Sequence, residues 1–196
     1  MTVVMIALVP SLLFGIYNIG YQYNLASNSG MEFWEMVWYG FLKIIPLYLV
    51  SYIVGLGIEF DSAQIRGHEV NEGYLVTGLL IPLIVPVTTP LWMLVLAVAF
   101  AVIIGKEIFG GTGMNIWNPA LLARAFLFFA YPSHMSGDKV WVAGVDGFSG
   151  ATPLAQTSEG LSSLQYSVSD MFFGFIPGSV GETSTLAILL GAVILI

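Results

Sequence analysis

Phe109-Gly110-Gly111-Thr112-Gly113-Met114-Asn115-Ile116-Trp117-Asn118-Pro119 decides how this chain is built. It follows residues 91–105, an apolar run that ends at Gly105-Lys106-Glu107. Three glycines within four positions break a helix, and Asn118 followed by Pro119 makes the N-cap and first position of a new one. The new helix, residues 119–131, is apolar but covers only about 20 Å at ~1.5 Å per residue. A bilayer's hydrocarbon core is roughly 30 Å thick. Irregular backbone at that depth is tolerated only inside protein or beside a water-filled cavity. Broken helices with exposed N-termini hold anions, ions or cofactors in membrane proteins, and small residues also let helices turn and pack tightly. The residues alone leave both readings open.

Composition agrees with a membrane setting. The chain has 196 residues, 57% hydrophobic and only 9% charged, whereas a soluble domain carries about 25% charged residues. A net charge of −7 without a basic stripe argues against nucleic acid. The absence of cysteine excludes disulfides, thiolate metal sites, iron–sulfur ligation and cysteine nucleophiles from this chain. The two histidines, His68 and His134, are too far apart in sequence to suggest a histidine-rich metal site. Met1 leads straight into apolar sequence with no basic leader, so the start reads as a membrane helix rather than a cleaved signal peptide.

Outward from the central break, the expected fold class is an all-α polytopic membrane bundle with short and broken helices. Spans are expected at residues 1–20, 38–58, 74–89 and 91–105. Trp34 and Trp38 sit where interfacial rings belong, and Pro82, Pro86 and Pro90 break the third span. Residues 132–182 read as one long extramembrane loop with a short amphipathic piece near Met171–Phe175, and residues 183–196 as the start of a further helix. Fourteen residues reach only ~21 Å, so the expectation is a piece of a longer protein. If the first span runs outward from the cytoplasm, parity puts Arg66 and Lys106 inside and loop 132–182 outside with Lys139. That is a weak agreement with the positive-inside tendency.

Within the long loop, Asp146-Gly147-Phe148-Ser149-Gly150-Ala151-Thr152 holds a hydroxyl among small residues, with Pro153 next. Read locally, it is a modifiable hydroxyl or an ordinary Ser/Gly/Thr turn capped by Asp146. It resembles the flavinylation signature Asp-x-x-Ser/Thr-Gly-Ala-Thr/Ser. Longer blocks go further: Arg66-Gly67-His68-Glu69-Val70-Asn71-Glu72-Gly73, Lys106–Gly113, Asn115-x-x-Asn118-Pro119-Ala120 and Arg124–Pro132. Together these resemble the family of B-type subunits of Na⁺-translocating NADH:quinone reductases, related to the D-type subunits of the Rnf ferredoxin:NAD⁺ oxidoreductases.

The resemblance carries several implications. The whole protein is about twice this length, with roughly ten helices in two related halves, and this chain lacks an N-terminal segment and the second half. It lies in the bacterial inner membrane with the attachment loop outside, as one component of a multi-subunit enzyme complex and inactive alone. FMN is joined through its phosphate to Thr152 by a Mg²⁺-dependent flavin transferase, with Asp146, Ser149, Gly150 and Ala151 as the recognition stretch. Electrons pass from a neighbouring subunit's FMN to this one, then to a noncovalent riboflavin near the cytoplasmic side, then to quinone, coupled to Na⁺ export.

Asn115 and Asn118 are implied riboflavin contacts; locally they could equally cap the helix at Pro119. Gly55 and Gly57 are implied quinone contacts, although the family's glycines are adjacent and Leu56 separates these. Glu59 is implied in Na⁺ uptake, against the plain alternative of a solvated acid at a helix end. Arg124, inside an apolar helix, needs an acid, a carbonyl or a flavin phosphate as partner, and a structural partner is preferred. The competing functions are a D-type Rnf component, a channel or secondary transporter built on the broken helices, and a purely structural membrane component.

Overall fold

The structure, a computed structural model, describes residues 1–67, 72–136, 140–144, 150–158 and 166–196. The described residues form helices joined by turns, with no strand among them. In order these are α1 (Thr2–Ser27), α2 (Phe33–Arg66), α3 (Gly73–Ile84), α4 (Leu91–Gly105), a single 3₁₀ turn (Glu107–Phe109) and α5 (Pro119–Ala130). They continue with three short helices, α6 (Pro132–Met135), α7 (Pro153–Ser158) and α8 (Val168–Phe173), and end with α9 (Thr185–Leu195). Among the described residues, three stretches are long and apolar enough to cross a membrane: Thr2–Ser27, Phe33–Arg66 and Leu91–Phe109. This is the architecture of a polytopic helical membrane protein.

α4 is the centre. Leu94, Ala97, Val98, Ala101 and Val102 are fully buried, and the two alanines let α2 and α5 come close on either side. α5 runs antiparallel to α4: Phe126 stacks on Phe100 in mid-bundle, and Tyr131 meets Trp92 edge-on at the start of α4. α1 and α2 form a hairpin at backbone contact. A Cβ on Gly40 would overlap the Ile16 carbonyl, and one on Gly20 the backbone of Met36. α9 lies along α1, with Gly191 against Ala7 and Thr183 beside Asn18, so the two are antiparallel.

Two ends of the bundle follow from these pairings. One, called here the near end, gathers the start of α1, the end of α2, the start of α3 and the glycine-rich turn. The far end gathers the α1–α2 turn, the end of α3 and residues 140–144: Tyr39 donates to the Ala143 carbonyl at 2.9 Å and Thr88 to the Val140 carbonyl at 2.6 Å.

α2 departs from the sequence expectation. Residues 38–58 were expected as the span, but the helix has 34 residues and runs for about 51 Å. Residues 59–66 are polar yet contain no helix breaker until Gly67, which takes a left-handed conformation (φ 70°) and closes the helix by donating to the Ala63 carbonyl. Glu59 is therefore nearly two turns inside a helix, not at its solvated end. α3 stops at Ile84, and the non-helical residues that follow, Val85, Pro86 and Val87, are buried. Their neighbourhood is satisfied by the later chain, as in the bond from Gly181 N–H to the Leu83 carbonyl (2.8 Å). Residues 176–184 are likewise not a free loop, since Ser179, Val180, Thr183 and Ser184 are all buried against the helices.

Candidate functional site

Lys106 is the first polar residue after the apolar α4, and its place there governs the near end. It is 4% exposed, as is Glu59 on α2, and the two form an ion pair. The Lys106 ammonium also lies 5.9 Å from the centre of the Tyr74 ring. Glu107, also buried, accepts from Ser62 at 2.5 Å, while its carbonyl accepts from Arg66 at 2.5 Å. Two pairs far apart in sequence thus meet at the near end: Glu59 and Arg66 from α2, and Lys106 and Glu107 at the head of the 3₁₀ turn. Isolated charges as buried as Glu59, Lys106 and Glu107 would cost several kcal/mol, and each of these has a polar partner.

Ser51, Gly55, Glu59 and Ala63 share the inward stripe of α2 at four-residue spacing. Gly55 is where the Tyr74 ring passes, since a Cβ there would overlap the ring. That ring is fully buried and its hydroxyl donates to the Ser51 carbonyl at 2.8 Å. Gly57 is exposed, with nothing near its Cα hydrogens. The two glycines therefore face different surroundings, because residues two apart on a helix do not share a face.

Beside Lys106 lies a cavity of about 370 Å³ between the start of α3, the glycine-rich turn and the start of α5. Lys106, Thr112, Asn115 and Asn118 all border it. Asn118 Oδ1 accepts from the Ala120 and Leu121 amides at 2.9 and 3.4 Å, capping α5, and its Nδ2 has no hydrogen bond among the described residues. Asn115 staples the turn: its Oδ1 accepts from Gly113 N–H and its Nδ2 donates to the Trp117 carbonyl at 2.9 Å. The Thr112 hydroxyl is buried without any hydrogen-bond partner among the described residues, while its side chain presses on Gly73. An orphaned buried hydroxyl is uncommon and costs about 1–3 kcal/mol. Nothing in the sequence marked Thr112 apart from its place among the glycines.

Thr152 is half-buried at the head of α7. Its Oγ accepts from Ala155 N–H at 3.2 Å and its carbonyl from Gln156 N–H at 3.0 Å, while the Gln156 side-chain amide donates to the Ala151 carbonyl at 3.1 Å. The hydroxyl oxygen is held in place and its proton is unused among the described residues. Gly150 is buried, and Asp146 and Ser149 lie outside the described residues. The chain enters this region from Gly144, which packs on Tyr39 and Tyr23 at the far end. Arg124 has an acidic partner, Glu182, at 2.5 Å, and Glu182 also accepts from Ser179. Its guanidinium is accounted for within this chain, as a structural partner requires.

Comparison with known proteins supplies the context. A model of the NQR2, RnfD, RnfE family matches residues 1–196. The B-type subunit of the Na(+)-translocating NADH-quinone reductase of Chromohalobacter salexigens is 49% identical over 95% of this chain and 51% of its own length. The corresponding protein of Yersinia pestis, of the same type, is 45% identical over 100% of this chain and 56% of its own. That of Neisseria meningitidis serogroup B is 41% identical over the same shares, 100% and 56%. The chain spans about half the length of the curated relatives it matches.

Proposed function

Because this chain belongs to the NQR2, RnfD, RnfE family, we propose that it serves as the B-type subunit of a Na⁺-translocating NADH:quinone reductase in a bacterial inner membrane. In that role it carries FMN as a phosphoester on Thr152, holds riboflavin in the near-end cavity and passes electrons toward quinone, coupled to Na⁺ export. Other subunits supply the electrons, and a flavin transferase installs the FMN. The near end, where Arg66 and Lys106 lie, is read as cytoplasmic and Thr152 as outer.

The observation that carries this reading is the cavity beside Lys106, bordered by a buried hydroxyl that has no partner among the described residues. Its volume falls in the usual range for small-molecule sites, roughly 300–1,000 Å³. Asn118 Nδ2 is free to bond a polar ring edge and the neighbouring Thr112 hydroxyl still lacks a partner among the described residues, so the residues fit a flavin. At Thr152 the fit is chemical: a hydroxyl oxygen whose one bond among the described residues is as an acceptor, which a phosphoester oxygen retains. A bound flavin supplies the redox chemistry, and the protein supplies position and electrostatics. Quinone is assigned to the exposed Gly57 face of α2, and Na⁺ uptake to Glu59.

Thr112 provides the test of the cavity. Thr112→Val keeps the shape and removes the hydroxyl. Loss of one hydrogen bond of about 1 kcal/mol weakens binding roughly fivefold. Noncovalent flavin released by denaturing the purified complex should fall in Thr112→Val and stay at the wild-type level in Thr112→Ser, with the covalent flavin unchanged in both. Wild-type release from Thr112→Val would remove the cavity as the flavin site.

A further inference from the structure

Lys106 and Glu107 are consecutive and buried, yet they border different hollows. Lys106 faces the cavity of Thr112 and Asn118, whereas Glu107 borders a second hollow of about 390 Å³ with Asp61, Ser62 and Arg66. The two hollows share no lining residue. Glu59, less than one turn before Ser62 on α2, is tied to the cavity side through its pairing with Lys106. Around the ammonium stand Glu59 from α2 and the Tyr74 ring from α3, while Glu107 is engaged by Ser62 and Arg66.

A buried ion pair does little for stability, because desolvation largely cancels the attraction and two apolar residues serve as well. A pair whose cation borders a cavity for a ligand that changes charge has a different use. We propose that Lys106 is a shared counter-cation: it neutralises Glu59 while the cavity is uncharged, and turns to the cavity when negative charge arrives there, leaving Glu59 to take up one Na⁺. This rests on the readings of the cavity as a flavin site and of Glu59 as the acid that takes up Na⁺. Lysine's flexible four-carbon stem allows the turn without backbone motion.

The charges balance. Glu59, Lys106 and an oxidised flavin ring sum to zero. One electron reaching a flavin bound there, with a reduced flavin on Thr152 as the donor, would make the sum −1. Lys106 keeps its proton, and one Na⁺ at Glu59 restores zero. A low-dielectric interior makes the uncompensated state costly, so electron and cation arrive together.

The experiment is a reductive titration of the noncovalent flavin in the purified whole complex over a series of Na⁺ concentrations. One cation per electron raises the midpoint potential by about 59 mV for each tenfold rise in Na⁺. Lys106→Arg should keep that slope, and Lys106→Gln should abolish it while retaining the flavin. If Lys106→Gln fails to assemble, the paired replacement Glu59→Gln with Lys106→Gln leaves no unpaired charge and takes its place, again with no slope expected. A slope that persists in either variant, or is absent from the wild type, overturns the proposal. Flavin release from Thr112→Val, measured alongside, separates the two ideas. Unchanged release refutes the cavity assignment, whereas reduced release with a persisting slope refutes only the Lys106 switch.

Discussion

In Thr152→Ala the ultraviolet fluorescence of the denatured polypeptide on a gel should be lost completely, even when the complex is expressed together with its flavin transferase. A phosphoester needs an oxygen on the side chain, and alanine has none, so the effect is all-or-none rather than graded. Thr152→Ser restores the fluorescent band, because the oxygen returns and only a methyl group is missing. Loss of the cap to Ala155 N–H costs about 1 kcal/mol. α7 is six residues long and outside the α4-centred core, so that cost does not unfold the bundle. Thr157→Ala and Ser158→Ala remove hydroxyls of the same helix, bonded to the Leu154 and Ala155 carbonyls, and should leave the band intact. Noncovalent flavin should persist in Thr152→Ala, since the cavity is at the near end. A fluorescent band in Thr152→Ala would place the attachment elsewhere and end the assignment.

How far the sequence could be read depended on how local the cause was. α4 and α5 have boundaries written in their own residues, Gly105 at one stop and Asn118-Pro119 at the next start. The length of α2 was not legible, because apolar spans mark only the part that needs hydrocarbon. Residues 59–66 look like a loop by polarity while having nothing that stops a helix. The Glu59–Lys106 pair joins residues 47 positions apart, and no periodicity in either segment announces it. Lys106 did carry a signal, as a lone charge directly after an apolar helix must find a partner. The burial of Ser179, Val180, Thr183 and Ser184 was hidden for the opposite reason: serines and threonines there read as loop, yet they pack into the helices, as Thr183 does in accepting from Asn18. Thr112 shows the limit most plainly, since an unmet hydrogen bond becomes visible only after every neighbour has been placed.

Gly55 and Gly57 should part company when each is changed to alanine. At Gly55 the added methyl meets the Tyr74 ring, and the ring has nowhere to go. It is fully buried, bonded to the Ser51 carbonyl and set edge-on against Tyr52. Overpacking of a fixed ring costs about 3 kcal/mol, and the Lys106 ammonium over the same ring shifts with it. Gly55→Ala should therefore lower the melting temperature of the purified complex and its noncovalent flavin content together. At Gly57 a Cβ meets nothing, and alanine improves a helix interior by about 1 kcal/mol. Gly57→Ala should be as stable as the wild type or more so. Any defect it shows must then lie in a ligand that approaches this open face, and a raised KM for quinone with unchanged kcat and melting temperature is the expected form. A doubly substituted Gly55→Ala, Tyr74→Phe variant tests the packing account in turn. Removing the hydroxyl releases the ring from Ser51, so part of the lost stability should return. If Gly55→Ala melts like the wild type while quinone KM rises, then Gly55 touches the quinone and the Tyr74 contact is not what requires a glycine there.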